Sequence, residues 1–143
     1  TADNGTGSLR DAIITANGST NAVDFIDFNI PTSDTGYNAT TGVWTISPLS
    51  ALPDLTAPVI LDGTSQPGYA GKPLIELNGS NAGASVNGLV VSGGASTVKG
   101  FDIGGFSNDG ILVNGAGGDT IQANYIGTDP TGAVALANGG YGV

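Results

Sequence analysis

Gly88-Leu89-Val90-Val91, followed by Thr97-Val98-Lys99-Gly100-Phe101-Asp102-Ile103-Gly104, returns downstream as Gly110-Ile111-Leu112-Val113 and Thr120-Ile121-Gln122-Ala123-Asn124-Tyr125-Ile126-Gly127. The first match, Gly88 to Gly110, lies 22 residues on and the second, Thr97 to Thr120, lies 23, so one residue is gained in a turn. Short β-branched runs between glycines, recurring at this period, let a chain coil and stack each turn on the last. Each repeat divides into three strands, Leu89 to Val91, Thr97 to Lys99 and Phe101 to Ile103, with Ser92-Gly93-Gly94 and Gly104-Gly105 turning the chain. Stacking then places Leu89 over Ile111, Val91 over Val113, Val98 over Ile121 and Ile103 over Ile126, about 4.8 Å apart in apolar ladders. The pattern reaches the last residues, because Tyr141-Gly142-Val143 matches Asp109-Gly110-Ile111. A sequence that stops as a strand begins is expected to be cut from a longer stack or covered by another chain.

Working outward, the first segment reads as a helix over residues 8–17. Ser8 and Asp11 form a capping pair, and Leu9, Ala12, Ile13 and Ala16 fall on one face. Asn17-Gly18 is expected to end it with a left-handed residue. Residues 1–22 are therefore assigned as an N-terminal cap, and residues 23–143 as the coils. Strand-like runs occupy Val23 to Ile30, Trp44 to Ser47, Val59 to Leu61 and Leu74 to Leu77, with prolines at their ends, where no ladder donor is demanded. Thr32 to Gly42, Asp62 to Lys72 and Thr128 to Asn138 read as projecting loops.

Composition excludes several functions. With 143 residues the chain fits one domain, and 25 glycines favour an elongated core. Asp and Glu number 12 against 3 Lys and Arg, so the surface repels nucleic acid and anionic lipid. Neither nucleic-acid binding nor membrane insertion is expected. The absence of cysteine removes disulfides and thiolate sites, and the absence of histidine removes the commonest general base and metal ligand. Scarce Lys and Glu with abundant Asn, Gly and Thr favour an exported protein.

Gly7-Ser8-Leu9-Arg10-Asp11-Ala12-Ile13, Phe28-Asn29-Ile30-Pro31, Leu61-Asp62-Gly63-Thr64-Ser65-Gln66-Pro67-Gly68-Tyr69, Leu74-Ile75-Glu76-Leu77-Asn78-Gly79 and Asn124-Tyr125-Ile126-Gly127-Thr128-Asp129 together resemble the N-terminal part of large secreted bacterial surface proteins. The relatives meant are similar to polymorphic outer-membrane proteins and to the pectate-lyase-like superfamily. The resemblance implies an all-β right-handed parallel β-helix, a solenoid with a short capping α-helix, in an extracellular or cell-surface setting. Polygalacturonase-like members use aspartates with a histidine, which this chain lacks. Pectate-lyase-like members use calcium-binding carboxylates with an arginine base, and the one arginine here, Arg10, lies on the capping helix.

The acidic candidates are Asp102, Asp109, Asp119 and Asp129. Asp109 and Asp119 lie near turns and offer oxygens to a calcium ion, or they brace Asn-Asp-Gly and Gly-Gly-Asp-Thr turns through backbone hydrogen bonds. A glycosidase would need Asp102 paired with a second acid at about 5 Å or about 6.5–9.5 Å. Trp44, Tyr37, Tyr69, Tyr125 and Tyr141 either stack on sugars or plug the spaces beneath loops. The expected function is a non-catalytic structural or adhesive module with no cofactor, whose partners are further copies of itself, adjoining coils, or surface glycans and proteins. A filament built end to end is one form of it. A polysaccharide lyase or glycoside hydrolase is the alternative.

Overall fold

The computed structural model describes residues 1–143. Helix α1, Leu9–Asn17, begins where Ser8 takes an extended backbone and its Oγ accepts the Asp11 N–H at 3.2 Å. Leu9, Ile13 and Ala16 face inward and join the same apolar core as the strands. The expected left-handed stop is absent, since Gly18 has φ −89°. The last turn tightens instead, with the Gly18 N–H donating to the Ile14 and Thr15 carbonyls and the Ser19 N–H to that of Ala16. The Asn17 side chain ties this end to the Asp54 carbonyl at 2.7 Å and the Thr56 N–H at 2.9 Å. Ser8→Ala should cost about 1 kcal/mol in urea unfolding, because an orphan helix donor loses its partner. An unchanged midpoint would refute that role for the cap.

Eleven strands follow: β1 Asp24–Asp27, β2 Tyr37–Asn38, β3 Val43–Ile46, β4 Val59–Asp62, β5 Ile75–Asn78, β6 Leu89–Val91, β7 Thr97–Lys99, β8 Phe101–Gly104, β9 Ile111–Val113, β10 Thr120–Gln122 and β11 Tyr125–Ile126. They form a four-stranded sheet β1-β4-β7-β10, a five-stranded sheet β11-β8-β5-β3-β2 and a two-stranded sheet β6-β9. Leu55 extends the last by one parallel bridge to Val91. Within these sheets the register partners are Leu89 with Ile111, Val91 with Val113, Val98 with Ile121 and Ile103 with Ile126, as the repeat implies. Their side chains make apolar rows such as Ile26-Leu61-Val98 and Ile46-Leu77-Ile103, all buried. No helix is long and apolar enough to cross a membrane.

The expected fold class is corrected by this architecture. The chain is an α/β mix, one helix with several small sheets, and not a single all-β β-helix solenoid. The five-stranded sheet is itself mixed, because β2 runs antiparallel to β3. The physical reason lies in the connections. From β6 onward they are one to six residues long, whereas earlier connections are long: residues 28–42, which include β2, number 15, residues 47–58 and 63–74 number 12 each, and residues 79–88 number 10. The first of these folds back as β2 on the edge of the five-stranded sheet, and insertions of that length break the even spacing a uniform stack requires.

Where the ladders stop at the corners, side chains of a neighbouring pass take over the backbone bonds. Asn124 Oδ1 accepts from the Phe101 N–H at 2.9 Å and its Nδ2 donates to the Val98 carbonyl at 3.0 Å. Ser96 Oγ accepts from Val59, and Asn87 Oδ1 from Asp109. Polar residues therefore recur at turns, where they pair backbone groups that the ladders leave open.

Candidate functional site

Two long segments rise from one corner of the molecule, between the four-stranded and five-stranded sheets. Residues 28–42 connect β1 to β3, and residues 63–74 connect β4 to β5 one pass later. They are tied to each other. Ser65 Oγ accepts from the Phe28 N–H at 2.6 Å, and the Gln66 amide accepts from the Ile30 N–H at 2.9 Å and donates to the Ile30 carbonyl at 3.0 Å. Gln66 is buried, so both halves of its amide need these partners. The first segment is no free loop, since β2 lies inside it. Tyr37 packs its ring 4.6 Å from Trp44, whose Nε1 donates to the Pro31 carbonyl at 3.1 Å.

The outer surface of this corner is polar but nearly free of unpaired charge. Thr32, Ser33, Thr35, Asn38, Thr40 and Thr41 are exposed on the first segment, and Lys72 on the second, with Tyr69 half-buried. Asp34 is engaged by the Thr1 ammonium at 2.8 Å, and this hydrogen bond holds its carboxyl down at about 2.

A second arrangement lies on the five-stranded sheet, where Thr45, Glu76, Asp102 and Tyr125 are successive register partners across β3, β5, β8 and β11. Alternation along a strand puts Ile75, Leu77, Phe101 and Ile103 on the opposite face. Glu76 accepts from Thr45 Oγ1 at 2.6 Å and from Asn78 Nδ2 at 3.0 Å. Asp102 is fully buried, and neither of its carboxyl oxygens has a hydrogen-bond partner. Burial, then the charges of Glu76 and Asp129, push its carboxyl up to about 7.

Neighbouring parallel strands set the two acids about 4.8 Å apart at the backbone. A sugar cannot reach them, however, with Asp102 at 0% and Glu76 at 9% exposure.

The calcium candidates are not brought together. Asp109 precedes β9 and Asp119 follows it, at opposite corners. Asp109 Oδ1 accepts from the Tyr141 N–H at 2.8 Å, and Asp119 Oδ1 from the Ser96 N–H at 2.9 Å, so each braces the backbone of a neighbouring pass. Asp129 organises its own turn, accepting from Thr131 Oγ1 at 2.6 Å and from the Val134 N–H at 3.2 Å. Those hydrogen bonds, Thr131 first, lower its carboxyl below the usual range. Arg10 is held by the Ala51 and Ser50 carbonyls and by Asp3. Two clefts of about 280 and 430 Å³ flank α1, and neither is lined by Asp102, Asp109, Asp119 or Asp129.

No family model, curated protein or solved structure matches the chain. Function must be read from its own geometry.

Glu76 was not among the residues that the sequence marks as candidates. Its signal was nonetheless present: Ile75-Glu76-Leu77 and Phe101-Asp102-Ile103 each set one acid between two core residues, 26 positions apart. Strand alternation alone places such acids in solvent, which hides the pair.

Proposed function

We propose that the chain is a non-catalytic structural and adhesive module of an exported bacterial surface protein, presenting the double segment at residues 28–42 and 63–74 to uncharged glycans. One observation carries this reading. The same corner is turned by Gly100 alone between β7 and β8, and by two residues between β10 and β11, so the fold closes it without any insertion. Length that folding does not need is where binding residues are carried, on a rigid base. Hydroxyl and amide side chains with a half-buried tyrosine suit neutral sugars, while a net charge of −9 disfavours acidic ones. Export is supported by the composition and by the resemblance of the Gly7 to Ile13 and Leu61 to Tyr69 motifs. The absence of any reaction is supported by the enclosure of the Glu76 and Asp102 carboxyls.

A labelled chain applied to an array of neutral and acidic oligosaccharides tests the proposal. Retention on neutral sugars is expected, and replacing Pro67–Lys72 by a short Gly-Ser turn should weaken it at least about tenfold, or 1.4 kcal/mol. The thermal midpoint should stay within a few degrees, because that stretch lies outside the strands and spares Ser65 and Gln66. Unchanged binding in the shortened chain would refute the assigned surface. Turnover of a polyuronate by the intact chain would refute the non-catalytic reading.

A further inference from the structure

We propose that Asp102 is a proton-binding site built into the five-stranded sheet: the sheet is tight while the carboxyl is neutral, and ionisation loosens β11 with the 127–138 excursion that follows it. Asp102 is 0% exposed and both its oxygens lack partners. The Ile103 N–H, the one group that favours the charged form, makes no well-formed hydrogen bond to it. The ionisable neighbours are Glu76 on β5, Tyr125 on β11 and Asp129 in the excursion, and none brings a positive charge. The cations are committed elsewhere or exposed: Lys99 pairs with Asp62 at 2.7 Å, Arg10 with Asp3, and Lys72 lies on the surface. An isolated buried carboxylate is costly, so the group keeps its proton instead.

Glu76 accepts one hydrogen bond on each oxygen, from Thr45 and Asn78, and offers Asp102 no donor. The side that gives way follows from the ladder. On one flank β5 pairs with β8 through four register partners, whereas on the other β11 pairs through two and is half-buried. Water reaches an ionised Asp102 by parting β8 from β11, which shifts the excursion anchored on Gly127 and Leu136.

Because the folded-state value, about 7, lies above the ordinary 3.8, the stabilisation is complete below the ordinary value and is lost as pH rises through about 7. Asp34, Asp62 and Asp129 are shifted downward, so their contributions change only as pH falls below the usual carboxylate range, outside this window. Thermal melts of the intact chain between about pH 5 and pH 8.5 should show the midpoint falling by about 5 °C or more. Asp102→Asn should flatten that slope and melt above the parent at the alkaline end. A flat parent profile, or a variant with the parent's slope, would overturn the proposal.

Carboxyl carbon NMR of the unsubstituted chain gives a reading that does not depend on the variant folding. An aspartate titrating near neutrality, absent from spectra of Asp102→Asn where that variant folds, supports the site. Carboxyls that all titrate in the ordinary range would overturn it. So would restoration of the acidic-pH midpoint at alkaline pH by calcium chloride and its reversal by chelator, which would mark a cation site.

Discussion

Phe101→Ala lowers the unfolding free energy by about 3–5 kcal/mol, read as a shift of the urea midpoint at unchanged slope. Phe101 is completely buried, stands beside Ile75 in register and meets Phe28 edge-on with ring centroids 5.4 Å apart. Truncation removes the transfer energy of the ring and leaves a cavity that neighbouring strands cannot collapse into, because their spacing is set by backbone hydrogen bonds. The T-shaped contact with Phe28 adds about 0.5–1.5 kcal/mol beyond area burial. A loss under about 1 kcal/mol would mean that this row does not hold the sheets together. Phe101→Leu, which keeps most of the volume, should recover the greater part of the loss.

Gly100→Ala should destabilise by about 2–4 kcal/mol, combining the left-handed backbone penalty with overpacking. Gly100 turns the tightest corner with φ +76°, and a Cβ there would come within 2.5 Å of Thr64 Cγ2 and 2.7 Å of the Thr64 backbone nitrogen. Thr64 cannot retreat easily, since Asp62 Oδ1 accepts its N–H at 2.9 Å and the adjoining Ser65 grips Phe28. Gly127 supplies the control: its φ is +83°, yet nothing lies within 4 Å of the missing Cβ. Gly127→Ala should therefore cost only the conformational part, about 1–2 kcal/mol. Equal losses at the two positions would show that contact with Thr64 contributes nothing.

Local and periodic features were legible in the sequence because they depend on near neighbours or on repetition. The helix over 8–17 begins at the expected cap, and the strands at Leu89–Val91 and Thr97–Lys99 have the expected bounds. The pairing of Leu89 with Ile111 and of Ile103 with Ile126 follows from self-similarity, since like residues stack at lowest cost. The fold class is not legible in the repeat, because the repeat does not extend over the whole chain. Residues 28–42 and 63–74 do not repeat, and β2 arises from the contact of Tyr37 with Trp44 and from backbone pairing to β3. That hairpin is local, turned by Asn38 to Gly42 with Gly42 at φ +72°, but a two-residue strand is too short for alternation to mark it.

The candidate sites divide in the same way. Asp109 and Asp119 looked like convergent ligands because both sit near turns, but β9 separates them. Asp102 is marked by its acidity and its place in the repeat, whereas Glu76 lies outside the repeat and carries no such mark. Sequence by itself determined the helix with its cap, most strand positions, the register of the repeated passes and an acidic chain without histidine or cysteine. Tertiary structure alone decided the division into three sheets, the joined corner segments and the burial of two acids side by side. The physical reason is range: propensity, capping and periodicity act along the chain, while sheet division and desolvation depend on which distant segments come to cover one another.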